Sequence, residues 1–416
     1  MTSERVMSVS AVEKTSEQTL IASRMRRVAV SASNAAGQKA RELAAAGRDV
    51  VNLTIGEPHF DTPSNIQRAA IAAMTEGQTR YTTVDGTPRL KQAIAKKFKR
   101  ENNLRFSSAE IIAGAGAKQI IFDAMLTTVE DGDEVIIPSP CWVSYPEMTR
   151  LVGGVPVVLP CTAETGFKLL PDRLRRTITP RTKWLLLNSP SNPTGATYSE
   201  KELQALGEVL QQFPHVWVMS DDIYEHIIYD GQKFSTMASA VPALAHRTLT
   251  INGVSKAYAM TGWRLGYAGG PKFLVREMAK LQSQSTSNPC SISQAAAAEA
   301  LDGPQDSVAA HAAEFEEHRN LIVLELGNIP GISCEKPAGA FYVFPSCDGV
   351  IGKRTPDGKQ IENDDDFVVY LLESGVAAIS GSSYGLSPHF RLSFATSKSA
   401  IIEGCRRIRE ACLRLR

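Results

Sequence analysis

The chain has 416 residues, 43% of them hydrophobic and 21% charged, which is ordinary for a folded protein and long enough for two lobes rather than one core. Its 45 basic and 44 acidic side chains leave a formal charge of +1, so it carries no electrostatic footprint for nucleic acid or an anionic membrane. No apolar run approaches the roughly 20 residues of a membrane span, and seven dispersed cysteines without CxxC pairs read as reduced thiols of a cytoplasmic protein.

The N-terminal stretch "MTSERVMSVSAVEKTSEQTL" has no hydrophobic h-region and three glutamates, so residues 1–24 read as a loose arm rather than a leader. From about 60 to 310, short apolar runs alternate with helical periodicity. "EIIAG" (110–114), "DEVIIP" (133–138), "VPVVLP" (155–160), "KWLLLN" (183–188), "VWVMSD" (216–221) and "TLTING" (248–253) read as strands. Several are apolar on both faces, as strands buried between helix layers are. "AKQIIFDAMLTTV" (117–129) reads as a helix. The alternation predicts an α/β domain over 61–310 with a mostly parallel sheet.

The last hundred residues read differently. "AGAFYVFP" (338–345) and "HFRLSFA" (389–395) look like strands, and "NDDD" (363–366) puts negative charge at a helix start. A final helix carries Ile401, Cys405, Ile408, Cys412 and Leu415 as an apolar stripe, with arginines expected to complement its dipole. A smaller α+β domain over 311–416, completed by 25–60, is the expectation.

Ligands of parallel sheets sit at the carboxyl ends of strands, so the residues there carry the functional reading. "GAGAKQ" after the first strand offers glycines and a helix start, either a phosphate site or a tight turn. As a dinucleotide fingerprint it is incomplete: Gln119 replaces the last glycine, and the next strand ends without an acid. "NSPSNPTG" holds a turn with Asn192. "SDDIYEH" closes a strand with Asp221, which needs a partner if buried, and puts Tyr224 three residues on. "NGVSKAYAMTGWRLGY" isolates Lys256 among small, apolar and aromatic residues, with Arg264 eight positions later. A lone lysine is usually a surface residue that snorkels. Here a pyridine aldehyde bearing a phosphate would use all these groups at once: a lysine for covalent attachment, a carboxylate for the ring nitrogen, and a basic, helix-capped phosphate cup.

"LTIGEPHFDTP", "PSPCWVSYPEM", "NSPSNPTGATY", "SDDIYEH", "NGVSKAYAMTGWRLGYAGG" and "FRLSFA", in this order, resemble the signature blocks of pyridoxal-phosphate-dependent class I aminotransferases. The closest resemblance is to the bacterial aspartate aminotransferases of subgroup Iγ, which are fold-type I homodimers. The resemblance implies pyridoxal 5'-phosphate as cofactor, Lys256 as its attachment point and proton carrier, and Asp221 as partner of the ring nitrogen. Tyr224 and Asn192 would bond the phenolate oxygen and Trp142 would stack on the ring. Arg264, Ser255 and the Ala117–Lys118 backbone would hold the phosphate, with Tyr81 reaching it from the neighbouring subunit. Arg391 would clamp the substrate α-carboxylate, and Gly56 would leave room for the substrate. The function implied is transfer of an amino group between an L-amino acid and a 2-oxo acid; the alternative is another fold-type I enzyme, a lyase or acyl-condensing synthase.

Two departures leave the donor open. "LQSQSTSNP", around Ser283, lacks the arginine that binds a distal carboxylate in animal-type enzymes, and the helix after "GAGAK" is apolar around Met125 and Leu126. Aspartate is therefore one candidate donor beside neutral, aromatic or basic amino acids. A pyridoxal-binding regulator would need a DNA-reading segment ahead of the pocket, which the arm is too short to supply. His311 and His318 stand seven apart on an expected helix with Glu314 between them, but no third and fourth ligand appears nearby, so no metal is expected and a solvated face is the reading. Cys141 reads as a small buried residue.

Overall fold

A computed structural model describes residues 20–30 and 32–416, so most of the expected N-terminal arm (residues 1–19) lies outside the described residues. The strands are β1 (Val51–Asn52), β2 (Ile111–Gly114), β3 (Glu134–Ser139), β4 (Val155–Pro160), β5 (Thr182–Asn188), β6 (Trp217–Asp221), β7 (Thr248–Gly253), β8 (Gly266–Gly269), β9 (Tyr342–Val343), β10 (Val376–Ala377), β11 (Ile379–Ser380) and β12 (Phe390–Ser393).

Seven of them form one sheet in the order β2-β8-β7-β6-β5-β3-β4. All neighbours are parallel except β8, which runs antiparallel to both β2 and β7. The six strands expected from sequence are all present. The reason is visible in β5, where successive side chains point to opposite faces. Trp184 and Leu186 enter one apolar cluster while Leu185 and Leu187 enter another. Both faces are dry, so the run must be apolar throughout, and truncating Leu185 to alanine would cost about 2–5 kcal/mol.

β8 escaped the sequence reading because "GYAG" offers almost no side chain to pattern. Its glycines serve close approach instead. A Cβ on Gly266 would meet the Ala117 nitrogen at 2.1 Å, and one on Gly269 would meet the Phe106 ring at 2.3 Å.

The C-terminal region builds two further sheets: parallel β1–β10 and antiparallel β11-β12-β9. The strands are shorter than the sequence suggests, with a strand over only Tyr342–Val343 of 338–345 and an isolated bridge at Gly339. Their core joins Phe341, Phe390 and Leu392 to Phe315 and Ile322 of the Asp306–Gly327 helix. In the Lys398–Leu413 helix, Ile401, Cys405, Ile408 and Cys412 are buried as expected, and Ser397 caps its start by accepting from the Ala400 amide (3.2 Å). The arginines do not sit at its last turn. Arg406 and Arg407 pair with Glu403, and Arg407 also reaches Asp49, so they tie the helix to itself and to the segment before β1. Asn363 caps the Asp364–Glu373 helix by accepting from the Asp366 amide, with three aspartates in its first turn.

Candidate active site

The carboxyl ends of β3, β5, β6 and β7 point to one cavity of about 410 Å³. Asn188 ends β5 and Asp221 ends β6 in register with each other, and Lys256 follows β7 by three residues. Trp142 follows β3 and precedes the Ser144–Leu151 helix. Gly56 comes from the segment after β1, and Arg391 from β12. The cavity walls contain every residue expected from sequence to hold cofactor or substrate except Tyr81. Tyr81 is 91% exposed and lies away from this pocket. Ser283, Met125 and Leu126 do not line it either.

Lys256 donates to the Gly56 carbonyl at 2.5 Å, with its ammonium 5.7 Å from the centres of the Tyr224 and Phe341 rings. Burial lowers its value to about 8, and Arg391 and Arg264 push the same way against Glu57 and Asp221. Half of the amine is therefore neutral one pH unit above neutrality, as a nucleophile or proton acceptor requires.

Asp221 is 4% exposed. Burial raises its carboxyl to about 6, and the Tyr145 hydroxyl (2.6 Å to Oδ2) and the Ile223 amide (3.3 Å to Oδ1) hold it from rising further. A protonated ring nitrogen in the pocket would be bound by the ionised form. Burial likewise pushes the Tyr224 phenol well above its ordinary value, and Tyr224 shares a 3.0 Å hydrogen bond with the Tyr342 hydroxyl.

Arg391 is 2% exposed. Its Nη1 donates to Asn192 Oδ1 (3.0 Å) and its Nη2 to the Thr54 carbonyl (2.7 Å), while Nε is buried without a partner. Its guanidinium lies over the rings of Tyr342 (4.3 Å) and Tyr384 (5.2 Å). The group has donors, no opposing carboxylate in contact and a planar stacking surface, so it is equipped to take an anion in fork geometry.

An anion cup forms where the Ala117–Thr128 helix begins. Gly116 precedes it at φ 92°, and a Cβ there would meet Arg264 Nη2 at 2.5 Å. The first-turn amides of Ala117 and Lys118 have no intrahelical acceptor. Arg264, itself left-handed at φ 54°, donates to the Thr261 and Ala115 carbonyls (2.9 and 3.3 Å), which holds its guanidinium against this helix start. Amides, helix dipole and guanidinium converge as a phosphate-class anion demands.

The sequence reading missed Tyr145, Asn188, Tyr342, Lys118's side chain and Glu57. Tyr145 was in a quoted block, one helical turn from Trp142, and only the fold reveals that it reaches Asp221. Asn188 donates to the Asp221 carbonyl (2.9 Å) and accepts from the Asn192 amide (2.9 Å). Lys118 Nζ stands 4.6 Å over the Trp142 ring, its value lowered by burial and by Arg264. Cys141 is buried and its thiol pushed up to about 12, in keeping with a packing residue.

Comparison with known proteins agrees with this geometry. The family model described as "Aminotransferase class I and II" matches residues 48–408. An aspartate/prephenate aminotransferase of Cereibacter sphaeroides is 54% identical over 93% of this chain and 97% of its own. The crystal structure of the aspartate aminotransferase from Rhizobium meliloti superposes with a TM-score of 0.93 at 51% identity, covering 95% of this chain and 99% of that one. The aspartate aminotransferase from Thermus thermophilus with maleate gives 0.87 at 40% identity, covering 94% and 99%.

Proposed function

This chain belongs to the class I and II aminotransferases and is an aminotransferase of the fold-type I architecture, and on that premise we propose that it uses pyridoxal 5'-phosphate to move an amino group from an acidic L-amino acid to a 2-oxo acid. The observation that carries the cofactor is the pairing of an anion cup at Gly116–Lys118 and Arg264 with a lysine that has lost half its charge near pH 8. The Asp221 carboxyl across the same cavity completes a donor set that fits the group.

The cofactor, when bound, supplies an electron sink for charge developing at the substrate α-carbon. The protein does the rest. Lys256 Nζ, freed of its proton, would be the covalent anchor and then the base that takes the proton from the substrate α-carbon and delivers it to the cofactor's C4′ carbon. Asp221, braced by Tyr145, would keep the ring nitrogen protonated. Asn192 accepts from Arg391 through Oδ1, which leaves its Nδ2 hydrogens for the cofactor's phenolate oxygen beside Tyr224. Arg391 orients the α-carboxylate and Trp142 covers the ring. Ser255, at the end of the β7 loop, supports the phosphate with Ala117, Lys118 and Arg264, and Gly56 leaves space for substrate.

Acidic donors are favoured by the Lys118 ammonium, which enters the cavity over Trp142 as a cation for a distal carboxylate. The name of the Cereibacter relative supports aspartate as donor and prephenate as one acceptor. A homodimer in which the exposed Tyr81 reaches the partner's phosphate is also part of this reading, as is a cytoplasmic location, which the seven free cysteines support. Among the described residues no helix is long and apolar enough to cross a membrane. We assign 61–310 to the large domain and 25–60 with 311–416 to the small one, following the separate sheets.

The deciding measurement is an absorbance spectrum of the purified protein with L-aspartate, then with aromatic and basic amino acids. The expected result is a visible band that L-aspartate shifts to shorter wavelength and a 2-oxo acid restores. A visible band that no amino acid shifts would favour the lyase or synthase chemistry. Preference for a basic donor would remove Lys118 from the role given to it.

A further inference from the structure

On the far side of the Gly56 segment, outside the cavity, the fold assembles a group that the sequence left as a solvated helix face. His318 is only 2% exposed, so that reading fails. His59, 255 residues from Glu314 in sequence, supplies the missing third side chain, with its Nε2 3.0 Å from Glu314 Oε1. His318 Nε2 lies 3.8 Å from the same oxygen, and all three ligand atoms fall within 4.8 Å of one another.

We propose that His59, Glu314 and His318 form a binding site for a divalent transition-metal ion of the zinc class, with its fourth position open to solvent.

The tautomers argue for a cation. His318 Nδ1 lies 3.2 Å from the Phe394 carbonyl, which can only accept, so Nδ1 carries the proton and Nε2 presents a lone pair. That buried lone pair faces a carboxylate oxygen, another acceptor, beyond hydrogen-bond distance. Two acceptors turned towards each other can share a positive centre between them. A shared proton serves poorly, because 3.8 Å is beyond hydrogen-bond reach. A metal ion serves well: a ring fixed by a carbonyl on its far nitrogen is the usual support of a metal-ligating histidine.

The distances suit it too. A tetrahedral ion with bonds of about 2.0–2.1 Å separates its ligands by about 3.4 Å; two of the three separations here are 3.0 and 3.8 Å, and all lie within 4.8 Å. Two imidazoles and one carboxylate select zinc, cobalt, nickel or copper over magnesium and calcium. On binding, the proton that His59 Nε2 gives to Glu314 leaves that nitrogen, and the ring carries it at Nδ1 instead.

The surroundings hold the rings in place. His59 stacks on His318 with centres 5.5 Å apart, and His311 stacks on Phe60 at 4.0 Å and 5°. His311 Nδ1, 3.4 Å from the Ala257 carbonyl, is engaged elsewhere. His59 and Glu314 are reachable from solvent, so an ion can enter. The other such cluster, Glu101, Glu225 and His226, already has its cation in the Lys97 ammonium and does not invite a second. An ion at His59 would pin the segment whose Gly56 carbonyl holds Lys256 to the Asp306–Gly327 helix.

The test is a titration of the holoenzyme with Co²⁺ as a coloured probe and with Zn²⁺, read by absorbance, calorimetry and thermal unfolding. His59→Ala and Glu314→Gln remove one ligand each and leave the buried His318 in place, so folding is not at stake. The expected result is one ion per chain, a rise in unfolding temperature with Zn²⁺, and affinity lower by about 100-fold in both variants. Three outcomes overturn the proposal: no binding at millimolar ion, binding undiminished in both variants, or a cobalt–thiolate band assigning the ion to cysteine.

Discussion

Two lysines, the buried Lys97 and the half-buried Lys256, sit in the same chain under opposite regimes. Lys97 is fully buried, yet its ammonium contacts the Glu225 carboxylate, donates to Asn102 Oδ1 (2.8 Å) and lies 3.5 Å from Glu101. Asn102 in turn donates to the other Glu225 oxygen at 2.6 Å. Burial alone would raise Glu225, but Lys97, His226 and Asn102 outweigh it and hold its carboxyl below the ordinary range. Lys256 keeps more access to solvent but contacts only a carbonyl. The carboxylates near it are engaged elsewhere: Glu57 accepts from Thr261 at 2.7 Å and Asp221 from Tyr145. Its value falls to about 8. What separates the structural Lys97 from Lys256, the lysine proposed to be reactive, is thus a carboxylate in contact, more than depth.

The comparison breaks most visibly at catalysis. Lys256→Ala should lower kcat by about 10⁴-fold, measured as transamination of L-aspartate, because it removes anchor and base together. A fall of less than tenfold would show that another group carries the proton. Lys97→Met strands Glu225 and should cost about 3–5 kcal/mol of stability in denaturant unfolding, most of it regained in the Lys97→Met, Glu225→Met double variant. If the single variant unfolds like the wild type, Lys97 is not a charged partner.

The sign reverses for Lys256. Its value is lower folded than unfolded, so between about pH 8 and 10.5 only the unfolded chain holds the proton, and stability rises with pH there. Below that window the folded state carries the full penalty. Without cofactor, Lys256→Met should therefore be more stable than wild type at pH 7, by about 1–3 kcal/mol, and the gain should fade towards pH 10.5. The smallest effect sharpens the picture further. Glu57 raises the Lys256 value, so Glu57→Gln should move the rising limb of the pH–rate profile to lower pH by less than about one pH unit. A move to higher pH would mean that Glu57 acts through something other than its charge.

Much of this was legible because it is local. The dry strands of the large sheet announce themselves as apolar runs, and β5 had to be apolar on both faces to sit between two clusters. Lys256, Asp221 and Asn192 could be found because they close strands or follow them. What stayed hidden depends on contacts across the fold. Glycine-rich β8 leaves no pattern, Tyr145 meets Asp221 from a different element, and His59 joins His318 across more than 250 residues. The C-terminal arginines looked like dipole partners because sequence spacing does not reveal that Asp49 lies beside Arg407. Tyr81 is the converse: singled out in sequence, yet not among the residues lining the pocket of its own chain.

The hydrogen bonds from Arg391 through Asn192 and Asn188 to the end of β6 have one more consequence. They join β12 to β6 by amide groups with almost no slack, so they act as a molecular ruler. The distance between the Arg391 guanidinium, proposed to clamp the α-carboxylate, and the Asp221 carboxyl is set before any substrate arrives. Length and shape in the amino acid must then be absorbed at the opposite end, around Trp142 and Lys118. Engineering a new donor preference belongs there, and changes on the ruler itself would miscalibrate every substrate alike.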